Sequence, residues 1–429
     1  MKIAVLKYGR EKMGGHSAFL AELKHFCSKN NHELRCYSYT IGAKKRKQYK
    51  FEMAEGFVFD EFCSEDLCQI AAELEMYDLL IMLEPATKAG TKEEGQLYTK
   101  IYTQVKNPKK WLLSYNIKLG FIKRVRDVID TIAASDVVST HSNQAEWCVI
   151  GDKVGKTWIK TPLFKRVDEY NKYFRNKDRN LEILFAGRYE NYKGSHFMPL
   201  ISKSLSENGI KCSMIGIDRS PASYHGLLVT DEVTSGRIDV QGPYKMTDGY
   251  ERMSKALFSF APMKLTKDEC SGILEYSQVE GIACGCIPVL HKNSKDFEYN
   301  GVKFGDIPYF AIWFDEENPE ECAKEIIKVS KDESLQEAYK GVALHVLREM
   351  YHKDNLRKSI EQVVNSPKNR CTKEDILKSF GWNQEEIDLY NEADKTEHYI
   401  KQDLLNLNKK TISMITGRYG GTTPYQKGE

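Results

Sequence analysis

Residues 269–290 read ECSGILEYSQVEGIACGCIPVL. Ser271-Gly272 form a turn, and the residues that follow read as a helix ending at Gly281 or a little beyond. The small-residue segment Ala283-Cys284-Gly285-Cys286 then leads into Ile287-Pro288-Val289, a buried strand. A turn, helix and strand in this order belong to an α/β fold with a parallel sheet. The turn at Gly272 and Ile273 places free helix N–H groups against a phosphate, while carboxylates on the helix can accept bonds from sugar hydroxyls. Glu275 and Glu280, read on one helix, lie about 140° apart, so only one points squarely at a ligand. Glu280 is assigned to the ribose. An ordinary amphipathic helix is the alternative reading.

Outward from this stretch the alternation of strand and helix appears twice. Ile3–Leu6 reads as a first strand, followed by the turn Met13-Gly14-Gly15-His16-Ser17 and an amphipathic helix from Ala18 to Asn30. Glu33–Tyr39 is a second strand, and Leu79–Leu83, Trp111–Ser114 and Val137–Thr140 are short apolar runs of buried-strand character. A charged, aromatic stretch from Phe164 to Asn180 reads as a linker. Leu181–Ala186, Lys211–Gly216, Ile238–Gln241, Ala256–Phe260, Ile287–Leu290 and Phe310–Phe314 continue the strands, and a helical region from Pro319 to Val364 follows. With 429 residues, two α/β domains are the natural division. The expected architecture is two facing Rossmann-like domains with a cleft between them, at 1–165 and 178–365. The charged segment 366–429 is an extension with no role assigned.

Composition excludes more than it selects. Lys+Arg 63 against Asp+Glu 61 leaves no global bias toward an acidic partner, so any nucleic-acid surface must be a local patch. The eleven cysteines are scattered without a zinc-like pair of pairs, which fits reduced thiols and no metal site. The sequence opens on a strand with no signal segment, and no apolar run approaches the roughly 20 residues that span a bilayer. A cytoplasmic monomer with no membrane partner is expected.

Two further turns carry chemistry. Gly14 and Gly15, with His16 and Ser17, sit between the first strand and first helix, where helix N–H groups can meet an anion. This is not the spaced dinucleotide fingerprint, and a plain βα turn reads the same way. Gly187-Arg188 leaves the first strand of the second domain, with Lys193-Gly194 shortly after. An arginine and a lysine over the mouth of a parallel sheet suit a diphosphate, Arg188 as a bidentate donor and Lys193 as a point charge. Two solvated surface cations are the alternative.

The run Glu280-Gly281-Ile282-Ala283-Cys284-Gly285 resembles the donor-binding helix of retaining GT-B glycosyltransferases. More narrowly, the chain resembles the DNA α-glucosyltransferases of T-even bacteriophages, which glucosylate 5-hydroxymethylcytosine. The matching pieces run in the same order over about residues 1–360. They include the Gly15 turn with Phe19, Pro85-Ala86-Thr87, His141-Ser142, Gly187-Arg188 with Lys193-Gly194, and Arg219-Ser220-Pro221-Ala222. Glu251-Arg252-Met253-Ser254-Lys255, Leu274-Glu275-Tyr276, the Glu280 run and Ile312-Trp313-Phe314-Asp315-Glu316 complete them. The resemblance implies a GT-B fold, a UDP-sugar co-substrate with no further cofactor, and double-stranded DNA across the cleft. It places Arg188 and Lys193 on the diphosphate, Glu280 on the ribose with Glu275 nearby, and Gly15 with its neighbours over the donor phosphates. Glucose follows from the resemblance; a pentose fits the motifs equally. A glycan or an already glycosylated base as acceptor, and a DNA-binding protein without turnover, are the competing readings.

There are two departures. The usual GT-B motif has a glutamate eight residues before Glu280, where this chain has Gly272. The phage family also carries a His-Asp-His cluster whose aspartate is a proposed acceptor base, and here that position is Lys118. Front-face attack, in which the departing phosphate takes the proton, tolerates such a loss. Glu84, at the end of a buried strand, is the replacement base if one exists, with Lys118 as an electrostatic residue. For DNA, the basic runs Lys44-Lys45-Arg46-Lys47, Lys109-Lys110 and Lys123-Arg124 with Arg126 all fall in the first domain.

Overall fold

The computed structural model describes residues 1–9, 15–40, 45–51, 57–83, 92–114, 125–140, 156–160, 165–189, 193–217, 230–264, 274–352, 354–379 and 381–395. The first domain contains β1 (Lys2–Tyr8), α1 (Gly15–Lys29), β2 (Glu33–Tyr39), β3 (Lys47–Phe51) and β4 (Phe57–Phe62). It continues through α2 (Leu67–Leu74), β5 (Leu79–Leu83), α3 (Lys92–Gln104), β6 (Lys109–Ser114), α4 (Val125–Ala134), β7 (Val137–Thr140) and β8 (Thr157–Lys160). All five residues of β5 are buried, because helices cover both faces of a parallel sheet and leave no position for polar alternation. The strand order is β3-β4-β2-β1-β5-β6-β7-β8. The chain therefore moves from β1 to β2 on one side and later returns to place β5 on the other. A topological switch point opens between β1 and β5.

Three strands of this sheet, β3, β4 and β8, escape the sequence reading; β4 is missed because Asp60 and Glu61 interrupt its apolar run. β3 starts at Lys47, within the basic segment read as a loop, and pairs antiparallel with β4 at the sheet edge. Its charged residues mask it, although Tyr49 stacks on Phe59 with ring centroids 5.2 Å apart. β8 pairs with β7 at the other edge and is only four residues long. β3 and β8 are edge strands, where polar composition is tolerated and indeed protective.

After a short helix α5 (Asn171–Phe174), the second domain runs β9 (Asn180–Ala186), α6 (Met198–Glu207), β10 (Lys211–Ile215), α7 (Asp231–Thr234), β11 (Ile238–Val240), α8 (Met246–Lys255) and β12 (Ala256–Phe260). Then come α9 (Tyr276–Ala283), β13 (Ile287–His291), a small hairpin of β14 (Glu298–Tyr299) and β15 (Val302–Lys303), and β16 (Ile312–Phe314). The main sheet is parallel in the order β11-β10-β9-β12-β13-β16, with its own switch point between β9 and β12. The chain closes with α10 (Pro319–Ser330), α11 (Glu333–Met350), α12 (Asn355–Asn365), α13 (Lys373–Ser379) and α14 (Gln384–Lys395).

The two domains share an apolar cluster. Phe19 and Leu23 of α1, Val279 and Ile282 of α9, and Ile360 and Val363 of α12 belong to it, and α12 packs on α1. The stretch after residue 366, to which no role was assigned, continues this return to the first domain. Ile376, Leu377, Trp382 and Ile387 join the cluster that holds Val128, Ile129 and Ile132 of α4. Arg370 fastens it by donating from Nε and Nη2 to the buried Asp136 at 3.1 and 2.9 Å. The described part of the extension is thus a structural layer of the first domain.

Candidate donor site and acceptor face

In an open α/β sheet, ligands gather at the carboxyl ends of the strands beside the switch point. In the second sheet that place is where β9 and β12 end. Gly187 and the exposed Arg188 leave β9, and Lys193-Gly194 opens the turn into α6. Gly194 adopts φ +73°, and a Cβ there would drive into the Pro262 carbonyl oxygen just beyond β12. Only glycine meets both demands. The two chain segments are thereby drawn together at the switch point.

Lys193 donates from Nζ to Glu275 Oε2 at 3.1 Å. Glu275 does not ride on the helix as the sequence reading had it. Its backbone is extended at φ −76° and ψ 160°, and it caps α9. Its N–H donates to Gln278 Oε1 at 2.8 Å, while Gln278 Nε2 donates to Ala261 O at 3.0 Å. The cap, the end of β12 and the Lys193 turn therefore form one unit. Gly272 and Ile273, expected at the phosphate turn, lie outside the described residues.

Glu280 lies on α9 and meets a cation that the sequence reading did not single out. Lys165 Nζ sits 2.8 Å from Glu280 Oε1, with the lysine side chain 1% exposed and the glutamate 14%. Lys165 also donates to Tyr250 Oη at 3.0 Å, and Tyr250 Oη donates to Glu280 Oε1 at 3.2 Å. Burial works to lower the Lys165 pKa, but the Glu280 carboxylate and surrounding groups override it, and the ammonium is held well above its ordinary range. The neighbouring Arg166 donates from Nε to Glu22 Oε2 of α1 at 2.7 Å. Consecutive residues of the linker thus grip α9 of one domain and α1 of the other. No sequence motif marks Lys165; its only signal was a charged, aromatic context.

Beyond β13 and β16 a second charged group stands near the Gly194 turn. His291, fully buried, accepts at Nδ1 from the Asn293 N–H at 3.1 Å, so Nε2 carries the hydrogen that meets Glu316 Oε2 at 2.6 Å. Lys264 Nζ reaches Glu316 Oε1 at 2.5 Å. Glu316 closes the Ile312–Glu316 run noted in the sequence without a role, whereas His291 had no sequence signal beyond its place at the end of a strand.

In the first domain, Gly15 begins α1, with His16 in its first turn and Ser17 buried; Gly14 lies outside the described residues. Glu84, Lys118, Lys44, Lys123, Arg124 and Arg126's side chain also lie outside them. The basic patch is less available than its composition implied. Lys45 is exposed, but Arg46 is bidentate on Glu73, at 2.5 and 2.8 Å, and Lys47 Nζ is 3.3 Å from Glu61 Oε2. Lys109 and Lys110 are buried at the start of β6, and Lys110 Nζ donates to Tyr102 O at 2.5 Å. These two belong to the interior of the domain, not to a nucleic-acid surface: the lysine heads are spent on main-chain carbonyls. Among the described residues, no group of three or more His, Cys, Asp or Glu is placed to hold a metal, and no helix is long and apolar enough to cross a membrane.

Residues 159–334 match the family model of DNA alpha-glucosyltransferase. A curated relative, the DNA alpha-glucosyltransferase of Enterobacteria phage T4, is 26% identical over 275 residues, covering 54% of this chain and 67% of the relative. Among solved structures, an alpha-glucosyltransferase in complex with UDP-glucose and DNA containing an abasic site superposes with a TM-score of 0.70 at 17% identity, over 85% of this chain and 100% of the other. Anabaena HepE in complex with UDP-glucose superposes at 0.57 and 11% identity, over 86% and 100%. The fold is GT-B, and the resemblance read from the sequence is borne out.

Proposed function

We propose that this chain is a DNA glycosyltransferase that moves glucose from UDP-glucose to a hydroxymethylated pyrimidine, with 5-hydroxymethylcytosine in duplex DNA as the acceptor, retaining the anomeric configuration. The observation that carries the reading is the assembly of Lys193, Gly194 and Glu275 at the β9–β12 switch point. It lies within the residues that match the DNA alpha-glucosyltransferase family model. In this reading Arg188 and Lys193 take the diphosphate, Glu280 takes the ribose, and the α1 turn at Gly14–Ser17 closes over the donor from the first domain. Glucose is favoured over a pentose because the relatives are named for it.

The acceptor hydroxyl must reach a sugar held between two domains, so the modified base is flipped out of the duplex. Catalysis then rests on alignment of donor and hydroxyl and on stabilising charge on the leaving diphosphate. Incubation of the chain with UDP-glucose and duplexes bearing cytosine or 5-hydroxymethylcytosine, read by mass, tests this. One added hexose on the hydroxymethylated strand alone is expected, and NMR of that product should show an α linkage. Transfer to a glycan but to no duplex, or DNA binding without turnover, would overturn it.

A further inference from the structure

Lys165 is an expensive residue where it stands. An ammonium with 1% of its side chain exposed must recover its lost hydration from specific partners. Those partners are numerous. Glu280 Oε1 and Tyr250 Oη take two of its three donors, and the rings of Tyr170, Tyr250 and Tyr276 lie 5.5, 5.3 and 5.4 Å from Nζ. The rings come from three separate pieces of chain: the linker, α8 and the start of α9. Such a cage fixes the ammonium far more tightly than a surface pair would, and through it fixes whatever carboxylate is bonded to it.

That carboxylate is Glu280. Both of its bonds fall on Oε1, one from Lys165 and one from the Tyr250 hydroxyl. No described residue bonds Oε2, and the side chain keeps 14% of its surface. A carboxylate anchored by one oxygen presents the other in a set direction. Vicinal hydroxyls on a ribose need this: two donors meet an acceptor whose rotation is already frozen, so little ordering remains to be done on binding.

We propose that Lys165 is a positioning residue that, with the Tyr250 hydroxyl, orients Glu280 to discriminate a ribonucleoside diphosphate from its 2′-deoxy counterpart. The inference rests on the reading of Glu280 as the ribose acceptor and goes beyond it by naming what sets its selectivity. A nucleotide lacking the 2′-hydroxyl leaves the fixed carboxylate oxygen short of a donor. A carboxylate free to rotate adapts to either sugar.

The test is calorimetric titration of the full chain with UDP and with 2′-deoxy-UDP, for wild type, Glu280→Gln, Lys165→Met and Tyr250→Phe. Near-UV circular dichroism confirms the fold of each. Wild type is expected to prefer UDP by about tenfold or more, as for a hydrogen bond to a charged group. Lys165→Met is expected to bring that ratio to within about threefold of unity, with the diphosphate contribution common to both nucleotides retained. If Lys165→Met does not fold, Tyr250→Phe decides, since it deletes one atom and keeps the cage; a ratio lowered severalfold supports the proposal and an unchanged one overturns it. If Glu280→Gln collapses the ratio while Lys165→Met folds and preserves it, the ribose reading stands and the role of Lys165 is lost. A ratio unchanged in Glu280→Gln removes the ribose reading and this inference together.

Discussion

Lys193 Nζ and Glu275 Oε2 meet at 3.1 Å, joining the turn after β9 to the cap of α9. A diphosphate arriving at Lys193 must compete with that carboxylate, and the two side chains are 16% and 31% exposed, so the competition takes place in partial contact with water. Lys193→Ala and Arg188→Ala should each weaken UDP binding about tenfold or more, since each removes a charge-assisted bond of roughly 1.5–3 kcal/mol. Glu275→Gln should act in the opposite direction and tighten UDP by a few fold. Calorimetry with UDP separates the cases. Wild-type affinity in both cation variants would remove the donor assignment, and weaker UDP binding in Glu275→Gln would show that the glutamate serves the nucleotide itself.

The sheet strands were legible because parallel strands buried on both faces are short apolar runs, and Leu79–Leu83 and Ala256–Phe260 coincide with β5 and β12. β3 and β4 were not: an edge strand with two lysines looks like a loop, and Asp60-Glu61 break the apolar run of β4. At the site, glycines and cations spaced after a strand were visible, and Gly194 is where the backbone requires it. The partners were not. Lys165 and Glu280 are separated by more than a hundred residues, and only the packing of the linker against α8 and α9 brings them to 2.8 Å. Likewise, Lys109-Lys110 reads as a basic patch until burial at the start of β6 turns both inward.

The basic loop divides in the structure. Arg46 is bidentate on Glu73, so its charge is already matched, while Lys45 is exposed. Arg46→Ala should therefore cost on the order of 1 kcal/mol of stability and leave the salt dependence of duplex binding unchanged. Lys44→Ala with Lys45→Ala should weaken every duplex about equally and flatten the log–log salt slope by up to about 0.9 for each phosphate no longer neutralised. Binding measured across a salt series checks both. A flattened slope in Arg46→Ala, or an unchanged one in the lysine pair, would reverse the division.

Glu316 should make the second domain acid-sensitive. Burial works to raise its carboxyl, but bonds from Lys264 and His291 overcome this and hold the carboxyl at about 2, against 4.5 ordinarily. A depressed carboxyl contributes stability above its unfolded value, and that contribution is lost as pH falls from about 4.5 toward 2. Burial lowers His291 as well, so its protonation costs stability as pH falls below about 6.5, in the same direction. Glu316→Gln is expected to cost roughly 1–3 kcal/mol at neutral pH. Its deficit relative to wild type should shrink as pH drops from 4.5, as followed by denaturant titration. A deficit independent of pH would mean that packing, and not the charge, is what Glu316 provides.

The last prediction concerns the proton on the acceptor hydroxyl. The first sheet places β5 beside β1 at its switch point, and β5 ends at Leu83. Glu84 is the next residue in the sequence after Leu83, the last residue of a strand that borders the switch point. Lys118, four residues beyond the end of β6 in the sequence, is where the resemblance puts the aspartate of the phage pattern. With an ordinary pKa near 10.4, a lysine cannot accept a proton at neutral pH. Either Glu84 is the base or the departing phosphate is. In single-turnover reactions with UDP-glucose and hydroxymethylated duplex both saturating, Glu84→Gln should slow transfer by roughly 10²-fold or more if the carboxylate takes the proton. The same change should be nearly silent if phosphate does, and Lys118→Met should then be the more damaging of the two, through loss of positive charge beside the leaving group. Full activity in both variants would exclude both residues from the reaction and move the acceptor hydroxyl to a different part of the cleft.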